Sequence, residues 1–116
     1  MGSENRVSTV DIVVTCFNEE DSLPLFFDAY LQLVQTQPQY SFNIIVVDNG
    51  STDGTLRLAK EFISTTKSGV CLELSRNFGK EASLTAGLER STSDVVIPID
   101  ADLQDPIDLI PVLLER

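Results

Sequence analysis

Four short apolar runs, rich in β-branched residues, alternate with stretches whose apolar positions recur at helical spacing. The runs are Val10–Cys16, Ile44–Val47, Val70–Leu74 and Val95–Ile99. Strands apolar on both faces and joined through helices form a parallel sheet covered on both sides. With right-handed crossovers, the expected architecture is an α/β, Rossmann-like, doubly wound and mostly parallel sheet in the order 3-2-1-4. The first helix is expected to be capped by Asp21 or Ser22, with Pro24 in its opening turn. Its apolar face reads as Leu23, Phe26, Phe27, Tyr30, Leu31 and Val34, and Gln35–Tyr40 as a polar connection. Thr55–Thr65 reads as a second helix through Leu56, Leu58, Ala59, Phe62 and Ile63, and Gly79–Arg90 as a third. Pro106 opens a fourth through Ile107, Ile110, Val112 and Leu113, interrupted or shifted by Pro111.

The chain of 116 residues is expected to be one domain with a modest core. Residues 1–8 read as a disordered or vector-derived N-terminus. The sequence has no apolar run of the ~20 residues a bilayer span needs, and no secretory leader is legible. A net charge of −10 disfavours nucleic acid and anionic lipid as direct partners. It also means that a phosphate-bearing ligand needs a metal ion or local cations, for which Arg57, Arg76, Lys80 and Arg90 are the candidates. The absence of histidine excludes His-based zinc sites and Ser-His or Cys-His catalysis. Cys16 and Cys71 fall on strands that the expected order separates by a third, roughly 10 Å apart and beyond disulfide reach. Reduced thiols suit a cytoplasmic protein.

In a sheet of this order, ligands bind beyond the carboxyl ends of the strands, where strand order reverses. Three acidic segments emerge on that edge: Thr15-Cys-Phe-Asn-Glu-Glu20, Asp48-Asn-Gly-Ser-Thr-Asp53 and Asp100-Ala-Asp102, with Gln104 and Asp105 following. Side chains two apart in extended backbone share a side, so Asp100 and Asp102 can converge. Carboxylates held that close call for a proton or a cation between them, and a hard ion such as Mg²⁺ or Mn²⁺ fits. The plainer reading of Asp100-Ala-Asp102 is a solvated turn capping the helix that opens at Asp105-Pro106. Asp48 can accept from a nucleobase or ribose, or can simply shape an Asx turn with Asp53. Glu19 and Glu20 can serve as first-turn carboxylates, and Phe17 can staple the first helix or present a flat wall to a base. Asn49-Gly50 alone is a weak turn signal.

These segments, in this order and at these strand ends, resemble family 2 glycosyltransferases with the GT-A fold. The stretch Leu74-Ser-Arg-Asn-Phe-Gly-Lys-Glu-Ala-Ser-Leu-Thr-Ala-Gly-Leu88 is most similar to the branch that makes polyprenyl-phosphate sugars, such as dolichol-phosphate mannose and bactoprenol glucosyl synthases. The resemblance implies that residues 9–116 are the N-terminal, nucleotide-sugar-binding part of such a domain. It implies a nucleotide pocket of Thr15, Phe17, Glu19, Asp48, Asp100 and Ala101, and a Mg²⁺ or Mn²⁺ held by Asp100, Asp102 and Gln104 against the diphosphate. Thr15 stands where the family usually has proline, and Asn49 where it has a second aspartate.

A UDP- or GDP-hexose donor and a polyprenyl phosphate acceptor, met at the cytoplasmic face of a membrane, are the implied partners. The helical pattern runs on to Arg116 without a stop signal, which reads as a cut inside a larger protein. The catalytic base, the acceptor site and any membrane helices are then expected beyond it. The piece alone is expected to be inactive and prone to self-association through its fourth strand and last helix. Two other classes match the alternation: a Mg²⁺-binding receiver domain of signalling proteins and a Toprim-like nuclease. A family 2 enzyme with a sugar-hydroxyl acceptor is a further alternative.

Overall fold

The computed structural model describes residues 8–66, 69–102 and 110–114. The elements run β1 (Ser8–Cys16), α1 (Leu23–Thr36), β2 (Tyr40–Asp48), α2 (Thr55–Thr66), β3 (Gly69–Glu73), α3 (Lys80–Arg90), β4 (Val95–Asp100) and a short α4 (Ile110–Leu114). All strand pairs are parallel, in the order β3-β2-β1-β4. This is the order expected for a doubly wound sheet with right-handed crossovers. The part of the expected fourth helix before Ile110 lies outside the described residues.

Alternation along β1 and β2 divides the core in two. Val10, Ile12, Val14 and Cys16, with Phe42, Ile44 and Val46, pack under Phe26, Phe27 and Tyr30 of α1 and Ala59 of α2. Val13, Ile45 and Val47 face the other way, toward Leu84 of α3. Gly87 lets α3 lie close on that face, because a Cβ there would overlap Val13. The stacked rings of Phe27 and Phe62, with centroids 3.9 Å apart, join α1 to α2. Burying each such large apolar side chain is worth roughly 1.5–3 kcal/mol.

Several details depart from the sequence expectation. The apolar stripe of α1 turns on Leu33, while Leu31 (43% exposed) and Val34 (37%) face water. Ser22 precedes α1 without a side-chain cap. Strand β2 starts at Tyr40 rather than Ile44, because Ser41 and Asn43 alternate with buried Phe42 and Ile44 in a continuous ladder. In the last helix, Ile110 is fully buried in the larger core cluster, against which Leu114 also packs. Cys16 and Cys71 are both free thiols on strands separated by β2. Burial raises both, and Cys71 is pushed up to about 11.

Candidate functional site

The register brings the strand ends level: Thr15 pairs with Asp100, Cys16 with Asp48, and Asp48 with Glu73. Chain segments leaving β1, β2 and β4 therefore start from one edge. They surround an open cleft of about 470 Å³. Thr15, Cys16, Phe17 and Glu19 form one wall, Asn49 the base of a second, and Asp100 and Asp102 a third. Asn77, Gly79 and Lys80 complete it from the connection between β3 and α3.

Each wall is held by its own hydrogen bonds. Asn18, in a left-handed conformation (φ 53°), accepts from the N–H groups of Thr52 (2.8 Å) and Asp53 (3.3 Å), while its own N–H donates to Ser51 Oγ at 2.8 Å. That fastens the loop after β1 to the loop after β2. Asp53 accepts from the Thr55 N–H at 2.9 Å and so caps α2, as a turn residue would. Glu20, expected in the first turn of α1, serves α2 instead: its Oε1 accepts from the Gly54 N–H at 2.7 Å. Asn49 ties down the third segment, donating to Asn77 Oδ1 (3.1 Å) and accepting from the Phe78 N–H (3.0 Å). Gly50 makes this approach possible, since a Cβ there would overlap the backbone of Arg76 and Asn77.

Five of the eight residues singled out from sequence line the cleft: Thr15, Phe17, Glu19, Asp100 and Asp102. Asp48 and Ala101 lie just beneath its surface, each 1% exposed. The Ala101 N–H is engaged by the Thr15 carbonyl at 3.3 Å. Asp48 Oδ2 accepts from the Ser51 N–H at 3.2 Å, whereas its Oδ1 is buried without a partner. Gln104 lies outside the described residues. Asn49, Asn77 and Gly79 join the site without having been assigned to it, and Lys80, expected only as one of four possible local cations, lines it too; Asn77-Phe-Gly-Lys80 closes the connection from β3 to α3.

Negative charge dominates the cleft. Burial, followed by the neighbouring Asp102 and Asp100 carboxylates, raises the Glu19 pKa above its ordinary value. Asp100 is partly neutralised: Thr15 donates to its Oδ1 at 3.1 Å and the Lys80 ammonium pairs with its Oδ2. That contact and the aspartate's charge raise the Lys80 pKa. Arg76 lies over the Phe78 ring (4.7 Å), and Arg57 pairs with Glu61 on α2. No three acidic or cysteine side chains among the described residues are grouped tightly enough to hold a metal alone. Asp100 and Asp102 are the carboxylates that could offer oxygens to a hard cation here, and after burial it is Asp102 that contributes most to the raised Glu19 pKa.

The model of glycosyl transferase family 2 matches residues 11–116. The chain belongs to that family. This membership excludes the receiver and Toprim alternatives. The bactoprenol glucosyl transferase of Shigella phage SfX is 41% identical over 107 residues, covering 92% of this chain and 35% of that protein. An undecaprenyl-phosphate 4-deoxy-4-formamido-L-arabinose transferase of Pseudomonas fluorescens (strain Pf0-1) is 39% identical over 109 residues, 93% of this chain and 32% of that one. The family 2 chain thus spans about a third of the length of these relatives.

Among solved structures, a mannosyltransferase from Pyrobaculum calidifontis, in complex with GDP-Man and Mn²⁺, superposes with a TM-score of 0.74 at 22% identity. It covers 90% of this chain and 32% of that one. S. aureus TarS 1-349 with UDP-GlcNAc gives 0.72 at 18% identity, over 92% of this chain and 32% of that one. These two likenesses establish the shared GT-A fold.

Proposed function

We propose that these residues form the nucleotide-sugar end of a glycosyltransferase that moves a hexose from a UDP- or GDP-sugar to a polyprenyl phosphate, with inversion at the sugar. The observation that carries this reading is the convergence, in one cleft, of Phe17 and Glu19 with Asp100 and Asp102, beside the buried Asp48. Relatives named for bactoprenol and undecaprenyl phosphate support the acceptor class. A polyprenyl phosphate resides in a bilayer, so the reaction belongs at a membrane surface. Among the described residues, no helix is long and apolar enough to cross one.

Each residue then has a task. Phe17, 40% exposed on the cleft wall, offers its face to the base. Asp48 and Asn49 fix the floor on which base and ribose rest. Asp100 and Asp102 would hold a Mg²⁺ or Mn²⁺, which supplies Lewis-acid stabilisation of the leaving nucleoside diphosphate. Thr15 orients the Asp100 carboxylate through its hydroxyl. A phosphate acceptor is already ionised near neutral pH, so the reaction requires no strong base from these residues.

The test is a transfer assay on the complete gene product with radiolabelled UDP- and GDP-hexoses and undecaprenyl phosphate in detergent. Label should move into the lipid fraction and release nucleoside diphosphate. Transfer to a sugar hydroxyl, with no lipid-linked product, would contradict the assigned acceptor.

A further inference from the structure

Lys80 is the first residue of α3, a position where the helix dipole disfavours a cation. It is held there by Asp100. The ammonium sits on Asp100 Oδ2, and the other oxygen takes the Thr15 hydroxyl at 3.1 Å. Both carboxylate oxygens are therefore occupied, one of them by a positive charge. The lysine side chain is 71% exposed and reaches in from solvent, so release returns it to water. Gly79 precedes it with φ +98° and no neighbouring atom within 4 Å of where a Cβ would stand, which leaves the attachment unobstructed.

We propose that Lys80 is a tethered counter-ion of the cation site: it occupies Asp100 when no divalent ion is bound, and the ion must displace it to use that carboxylate. This rests on the reading of the cleft as a cation-dependent nucleotide site. Lys80 keeps the Asp100 carboxylate compensated without the ion, where Asp102 and Glu19 add like charge. Exposed ion pairs are weak, so a divalent ion wins the competition, but its apparent affinity is reduced by up to roughly fivefold.

The experiment is titration of this chain with Mn²⁺ alone, at low ionic strength, followed by electron paramagnetic resonance of the free ion. Lys80→Met should bind Mn²⁺ about two- to fivefold more tightly than the unaltered chain. Arg76→Met, which removes a charge stacked on Phe78 rather than on a carboxylate, should change it less. Unchanged or weaker Mn²⁺ binding by Lys80→Met, or an equal gain in Arg76→Met, overturns the proposal. Mn²⁺ binding that Asp102→Asn abolishes but Lys80→Met leaves unaltered overturns it while the cation site stands. No Mn²⁺ binding by any of these chains overturns both.

Discussion

Asp48 ends β2 with one oxygen on the Ser51 N–H and the other buried and unpaired. A buried acceptor without a donor is a standing penalty that a ligand N–H or O–H can relieve. Asp48→Ala should therefore weaken nucleoside binding even without metal, by on the order of 1–3 kcal/mol. Calorimetry with uridine and guanosine checks this, and a loss seen only with Mn²⁺ would assign Asp48 to the cation instead. Asp11 lies at the opposite end of the sheet, 4% exposed. It accepts from the hydroxyls of Ser91 (2.5 Å) and Ser93 (2.7 Å) and from the Thr92 N–H (3.3 Å). Burial alone would raise its pKa, yet these hydrogen bonds together lower it below the ordinary 3.8. A depressed carboxylate adds stability that is fully present above its unfolded pKa and disappears as pH falls through the folded one. Wild type should thus lose stability relative to Asp11→Asn as pH drops from about 4 downward, converging on the variant. Parallel denaturation curves at every pH would contradict that role.

At the scale of elements, the strands were legible because β-branched apolar runs permit little else, and the sheet order followed from reading them as a doubly wound sheet with right-handed crossovers. The face of α1 was less so. Leu23, Phe26 and Phe27 begin a stripe that can continue through Leu31 and Val34 or through Leu33. The choice depends on where Phe62 of α2 meets Phe27 and Tyr30. That contact is tertiary and leaves no mark on the periodicity of α1. Urea denaturation should show Phe26→Ala destabilised by about 3–5 kcal/mol. Leu31→Ala should stay within about 0.5 kcal/mol. A large loss at Leu31 would mean the stripe is misplaced. The site divides the same way. Acids at strand ends were visible, since topology alone sends them to one edge. The contribution of Asn77 and Gly79 was not, nor which of the four candidate cations would reach the cleft, because both require the segment after β3 to fold back onto Asn49 over the side-chain-free Gly50.

For the whole molecule, a net charge of −10 and a cleft walled by Glu19, Asp100 and Asp102 make an unaided diphosphate a poor ligand. The fold supplies the edge, the register levels the strand ends, and the paired loops hold the carboxylates toward one space. On the proposed function, their charge is answered by a cation that the nucleotide shares. The most direct measurement is calorimetric titration of this chain with UDP and with GDP, each with and without Mn²⁺, repeated on Asp102→Asn. One of the two nucleotides should bind measurably only when Mn²⁺ is present, and Asp102→Asn should lose most of that dependence while its circular dichroism stays unchanged. Equal binding with and without Mn²⁺, or undiminished Mn²⁺-dependent binding in a folded Asp102→Asn, would contradict the account.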